Sequence, residues 1–225
     1  MLKVQMRVAI LLAGRIKGWE YTKDSLKSLQ DKYNALFFVS LNAEAPDEST
    51  NAFCQYFNVS PEQIVYIPTQ TPEKYRQFHP DGKEHNFYSQ WFHVRSAFDL
   101  CKSYCLQKNT MFDVVIKYRS EIKPEHVLEI GTIIPKRFYC PVHPAYQTND
   151  QMAYGNFQTM EAYSRLVNFY EFFYENKKLL YSGGLPRPTE CVLFDYLNIL
   201  AYYDKIDVIY IDFKFYLDGK RNLLD

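Results

Sequence analysis

The sequence predicts a doubly wound α/β fold, an open and mostly parallel twisted sheet with helices on both faces. Three observations predict it. Val8-Ala9-Ile10-Leu11-Leu12-Ala13 is a continuous apolar run bounded by Gly14, the pattern of a strand buried on both faces of a parallel sheet. Apolar runs and polar helical stretches then alternate as strand, helix, strand, helix, strand as far as Ile67. Beyond them Phe87, Trp91, Val94, Phe98, Cys101 and Cys105 recur at intervals of three and four, the spacing of a helix with one apolar stripe.

The elements follow in order. After the central first strand, a polar helix is expected from about Trp19 to Tyr33, a second strand over 35–41 and a helix around Ser49 to Phe57. Ile64-Val65-Tyr66-Ile67 makes a short third strand before Pro68. Residues 68–86 hold three prolines, two histidines and a glycine without periodicity, so they read as a long surface loop. The striped helix comes next, then a central strand, Phe112-Asp113-Val114-Val115-Ile116-Lys117-Tyr118-Arg119, that runs into polar residues. Pro124 suits the first turn of a short helix, followed by a strand around Arg137 to Val142 and a polar stretch from His143 to Gln151. A long aromatic helix is expected from about Phe157 to Lys178, ended at Gly183-Gly184, with a further helix from about Pro188 to Tyr203. The alternating segment 207–215 is a final strand at a sheet edge.

Composition narrows the function. The 225 residues suffice for one large domain with its own core, without a repeat or a dividing linker. Lysine plus arginine balances aspartate plus glutamate, 26 against 26, so no global positive field gathers nucleic acid or anionic membrane. Cys54, Cys101, Cys105, Cys140 and Cys191 lack zinc spacing and read as reduced, small apolar residues of a cytoplasmic protein. The apolar run at the start is too short to span a bilayer and lacks a signal-peptide cleavage site.

In open α/β sheets ligands sit outside the carboxyl ends of the strands, and four such places carry chemistry. Gly14-Arg15-Ile16-Lys17-Gly18 offers close backbone approach and two cations for a diphosphate, or is an ordinary strand-to-helix turn. Asn42 has an amide that can read a base or ribose edge, or cap a loop. Lys117, Arg119 and Glu121 alternate onto one face as their strand leaves the core, where two cations and a carboxylate suit a diphosphate and a metal, or make a solvated strand end with an internal ion pair. In Thr148-Asn149-Asp150-Gln151, Asp150 is a candidate general base, with a helix cap as its competing role. Glu190, in the first turn of a helix where the dipole by itself favours a carboxylate, is the second candidate base, and His143 is a further candidate for the cleft or a structural histidine.

These stations in this order resemble small glycosyltransferases of the GT-A type found in bacterial surface-polysaccharide clusters and in large DNA viruses of algae. The resemblance rests on the strand from Val8 to Arg15, on Phe87-Tyr88-Ser89-Gln90-Trp91, on the strand from Phe112 to Glu121 and on Asn149-Asp150-Gln151-Met152-Ala153-Tyr154-Gly155, and it runs from about Val8 to Leu197. It implies a GT-A-like (Rossmann-like) sheet in a single domain over 1–225, with a nucleotide-binding half at 1–120 and an acceptor-side half at 121–225. It further implies a nucleotide-diphosphate sugar as donor and a glycan or glycoprotein hydroxyl as acceptor. The site would lie in the cytoplasm, that of the host if the protein is viral. Gly14 and Arg15 would border the nucleotide, the end of the strand from Arg119 to Glu121 would lie beside the diphosphate, and Asp150 would face sugar and acceptor. The broader fold holds a divalent ion on an Asp-x-Asp pair, whereas Glu121 is the lone carboxylate of Arg119-Ser120-Glu121. Manganese or magnesium on Glu121 and the diphosphate, or Lys117 and Arg119 without metal, both stay open. The rival reading is a nucleotide- or glycan-binding module without catalysis. A dinucleotide-dependent oxidoreductase is disfavoured because GxGxxG is missing.

Overall fold

A computed structural model describes residues 6–16, 18–43, 48–68, 72, 74, 87–143, 147–176, 178–179, 187, 189–217 and 220–221. The first half runs β1 (Val8–Ala13), α1 (Trp19–Tyr33), β2 (Leu36–Asn42), α2 (Glu48–Tyr56), β3 (Ile64–Ile67), α3 (Phe87–Gln107) and β4 (Val114–Tyr118). The second runs β5 (Ile122–Pro124), β6 (Arg137–His143), β7 (Gln147–Thr148), β8 (Met152–Gly155), α4 (Phe157–Ser164), α5 (Tyr170–Glu175), α6 (Thr189–Tyr203), β9 (Asp207–Ile211), β10 (Phe215–Leu217) and β11 (Lys220–Arg221).

The main sheet has the order β3-β2-β1-β4-β8-β6, with β7 and β9 both joined to β6. Its first four strands are parallel, β8 lies antiparallel between β4 and β6, and β9 returns parallel to β6. The sheet is therefore α/β as expected but mixed. Because β2 and β3 build out on one side of β1 and β4 on the other, the strand order reverses between β1 and β4. In open sheets of this kind the carboxyl ends of two such strands are where a ligand is expected to bind.

Alternation along the strands feeds two cores. Val8, Ile10 and Leu12 join Val114, Ile116, Trp19, Leu26 and Phe53 on the face covered by α1 and α2. Ala9, Leu11 and Val115 point the other way, under the α3 stripe of Trp91, Val94, Phe98, Cys101 and Cys105 and residues of α4, α5 and α6. The two spaced cysteines of α3 are thus core residues, as their apolar reading expects.

Three expected elements come out differently. No helix follows Pro124, which instead ends β5 and pairs with Phe215 of β10. The segment beyond it is extended, with Val127, Leu128, Ile130 and Ile133 against the α1 side of the core and Tyr33 Oη bridging the Leu128 carbonyl and the Ile130 amide. β-Branched residues around Gly131 disfavour a helix there, and proline is as welcome at a strand edge as at a helix start. The long aromatic helix breaks into α4 and α5 around a 3₁₀ turn over Arg165–Phe169, which lets Leu166, Val167 and Tyr170 all reach the core. The final strand stops at Ile211; the chain then leaves the sheet, and β10 joins β5 and β11 in a small separate sheet. Among the described residues β9 pairs with β6 alone, the edge position expected of it. The expected loop over 68–86, apart from residues 68, 72 and 74, and the Gly183-Gly184 break lie outside the described residues. No helix among the described residues is long and apolar enough to cross a membrane.

Candidate functional site

Lys117 lies one residue before the end of β4, on the face it shares with Val115, and it is only 1% exposed. Its Nζ donates to the backbone carbonyl of Asp150, in the bend that leads into β8. Pairing of β4 with β8 brings this about, since Tyr118 faces Met152 across the ladder and the Asp150 bend overhangs the end of β4. Burial pushes the ammonium of Lys117 down to about 8, with Asp150 the foremost group working to hold the charge. Expected at the wet end of its strand as a diphosphate ligand, Lys117 is turned inward instead, and it pins the bend.

Arg119 and Glu121 flank a tight turn in which the Ile122 amide donates to the Arg119 carbonyl. Arg119 Nε donates to Glu121 Oε1 at 2.7 Å, and the Arg119 side chain as a whole is 39% exposed. The turn is anchored from the opposite layer, where Thr22 Oγ1 in α1 donates to the Ser120 carbonyl at 2.6 Å. Glu121 thus spends its carboxylate on Arg119. Among the described residues no three His, Cys, Asp or Glu side chains gather as a metal-binding group.

Asp150 is 5% exposed, and its Oδ2 accepts a hydrogen bond of 2.8 Å from Gln90 Nε2 in the first turn of α3. The competing role of helix cap falls away: a strand, β8, follows Asp150, and the next helix is capped by Asn156, whose Oδ1 accepts from the Thr159 amide. Asn149 Oδ1 accepts from the Gln151 amide at 2.7 Å and shapes the bend. Asn149 Nδ2 and Gln151 Oε1, on either side of Asp150, are buried without a hydrogen-bond partner among the described residues.

Glu190 enters from α6, whose start is tied to β7 by Thr148 Oγ1 donating to the Glu190 carbonyl at 3.1 Å. Burial and the nearby Asp150 carboxylate raise its pKa, while Arg119 and Lys117 work in the opposite direction. Asp150, Arg119, Glu121 and Glu190 all act on the charge of Lys117, so five residues from a span of 74 positions, 117 to 190, form one charged cluster.

The remaining candidates line the neighbouring strand ends. Gly14 has φ +89°, with open space where a Cβ would stand, and its amide donates to the Ser40 carbonyl at 2.8 Å. Arg15 is exposed beside it. Asn42 closes β2, and its Oδ1 takes a 2.6 Å hydrogen bond from His93 Nε2, while His93 Nδ1 meets Ser40 Oγ at 2.9 Å. Burial lowers the pKa of His93 to about 4, so the ring is neutral, with Nε2–H donating to Asn42 and Nδ1 accepting from Ser40. Lys17 and the side chain of His143 lie outside the described residues.

Sequence reading missed Gln90 and His93. The available signal was two polar residues three apart, beside the apolar stripe, in the opening turns of α3. No protein-family model matches the chain, and no curated protein matches it in sequence.

Proposed function

We propose that the chain is a GT-A-type glycosyltransferase that moves a sugar from a nucleotide-diphosphate sugar to the hydroxyl of a glycan or glycoprotein acceptor by direct displacement. The observation that carries this reading is the held carboxylate of Asp150. It lies next to a second carboxylate and two cations, at the carboxyl end of β4, where the strand order reverses.

The chemistry follows from that arrangement. The donor's nucleotide takes the ends of β1 and β2, beside Gly14, Arg15 and Asn42, in the half formed by residues 1–120. Its diphosphate reaches Arg119, whose part-exposed side chain can exchange Glu121 for phosphate oxygens. The acceptor comes from the side of residues 121–225. Its hydroxyl oxygen forms the new bond to the anomeric carbon as the bond from that carbon to the diphosphate oxygen breaks, and Asp150 takes the hydroxyl proton. Negative charge leaves with the diphosphate and is met by Arg119 and Arg15. Glu190, with its raised pKa, is the second proton acceptor in the cluster.

The test is a panel of uridine and guanosine diphosphate sugars, read by thermal shift and by release of the nucleoside diphosphate, for wild type and Asp150→Asn. A general base is worth roughly a hundredfold or more in rate, so Asp150→Asn should keep donor affinity and lose turnover by that factor. Gln90 can still donate to the asparagine Oδ1, so the fold survives. Equal turnover in the two proteins would transfer the role of base to Glu190. Nucleotide binding with no turnover in wild type would make the chain a binding module, and no binding at all would remove the donor site.

A further inference from the structure

Gln90 and His93 stand three residues apart in the opening turns of α3, so they project from one side of the helix. Each holds a residue of the site by a short hydrogen bond: Gln90 Nε2 to Asp150 Oδ2 at 2.8 Å, and His93 Nε2 to Asn42 Oδ1 at 2.6 Å. The two partners belong to opposite sides of the point where the strand order reverses, Asn42 at the end of β2 and Asp150 in the bend before β8. Gln90 is half-buried and His93 is buried, two polar side chains set beside the apolar Trp91, Val94 and Phe98 stripe of the same helix.

We propose that α3 is the positioning element of the site, with Gln90 aiming the Asp150 carboxylate at the acceptor and His93 fixing the amide of Asn42 toward the donor. This rests on the glycosyltransferase reading above. A carboxylate has two oxygens, and an amide N–H on Oδ2 leaves Oδ1 to reach the acceptor hydroxyl. Without that bond the carboxylate rotates, and the fraction of time spent in a reactive geometry falls. His93 works through its tautomer. Asn42 Oδ1 can only accept, so the neutral ring keeps its proton on Nε2, takes Ser40 Oγ–H on Nδ1 and holds the oxygen end of the Asn42 amide. Gln90 is therefore a positioning residue for turnover and His93 one for donor recognition.

The two roles separate kinetically. With the donor that wild type turns over, Gln90→Ala should lower kcat about tenfold, the worth of a hydrogen bond to a charged group, and leave the donor KM unchanged. His93→Gln should raise the donor KM several-fold and leave kcat unchanged. In the double variant Gln90→Ala/Asp150→Asn, turnover should be no lower than in Asp150→Asn alone, because Gln90 acts only through Asp150. Gln90→Glu preserves shape but sets a carboxylate against Asp150. Asp150 is faced by Lys117 from β4, Arg119 from the following turn, Glu190 from α6 and the Tyr163 hydroxyl from α4. Adding one negative charge to that set moves the acid limb of the kcat–pH profile upward.

Wild-type kcat and pH profile in Gln90→Ala and Gln90→Glu would overturn the role of Gln90. An unchanged donor KM in His93→Gln, or in Asn42→Ala should His93→Gln fail to fold, would overturn that of His93. If wild type turns over no nucleotide sugar, the underlying glycosyltransferase reading has failed and the positioning roles fall with it.

Discussion

Replacing Lys117 by methionine separates the stability of the fold from the working of its site. A buried ammonium costs free energy in proportion to how far its pKa is pulled down. From the ordinary 10.5 to about 8 the gap is 2.5 pH units, which at 1.36 kcal/mol per unit is about 3 kcal/mol. Methionine removes that cost but leaves the Asp150 carbonyl without its donor, a loss of about 1–3 kcal/mol. The two nearly cancel, so at pH 7 Lys117→Met should lie within about 2 kcal/mol of wild type. The pH dependence carries the sharper sign. The folded pKa lies below the unfolded one, so between about pH 8 and 10.5 the unfolded chain binds more protons and wild type gains stability as pH rises. The variant has no such gain. Urea unfolding of both proteins at pH 7, 8, 9 and 10 should therefore show wild type improving relative to the variant by most of about 3 kcal/mol. Other titrating groups are common to both proteins and drop out of the difference. Turnover should fall at least tenfold in the variant, because the bend carrying Asp150 loses its anchor. A difference in stability that stays flat with pH would refute the buried ammonium. A loss above about 4 kcal/mol at pH 7 would show that the lysine holds the fold rather than the site.

Two further substitutions test the strand ends. Arg119→Ala should weaken donor binding about tenfold through loss of a charged hydrogen-bond donor, yet shift unfolding by less than about 1 kcal/mol, since its pair with Glu121 is part-exposed; calorimetric titration with a nucleoside diphosphate and a urea melt measure the two effects, and unfolded protein would make Arg119 structural. Gly14→Ala meets no atom within 4 Å, so its cost is backbone strain at φ +89° alone, about 1 kcal/mol by urea melt; an unchanged midpoint would mean that the turn relaxes at no cost.

The legible part of the fold was the part written in local pattern. The Val8–Ala13 run, the Trp19–Tyr33 helix, the Ile64–Ile67 strand and the α3 stripe each declare their period within their own length, and their bounds in the structure match that reading. Pro124 and the 157–178 stretch misled because their local signals fit two outcomes. Proline begins helices and also ends edge strands, while an aromatic run cannot tell a continuous helix from two short ones joined by a 3₁₀ turn. What decided each case was the partner: Phe215, ninety-one positions away in sequence, beside Pro124, and the α3 face beneath Leu166 and Tyr170.

The site divides in the same way. Strand ends pointed to Arg119, Glu121 and Asp150, because ligands of open sheets bind outside the carboxyl ends of the strands, and Glu190 stood out as a carboxylate in the first turn of a helix. That reasoning cannot say which of them touch. The antiparallel insertion of β8 beside β4 sets Asp150 over Lys117, and α3 brings Gln90 to Asp150 and His93 to Asn42. The sequence by itself determined the secondary structure of the parallel half and the chemical types at its strand ends, since periodicity and burial are local. Only the tertiary structure decided that Lys117 turns inward, that Glu121 pairs with Arg119 and that Gln90 and His93 hydrogen-bond Asp150 and Asn42. Those facts depend on pairings between residues far apart in the chain, which no local pattern encodes.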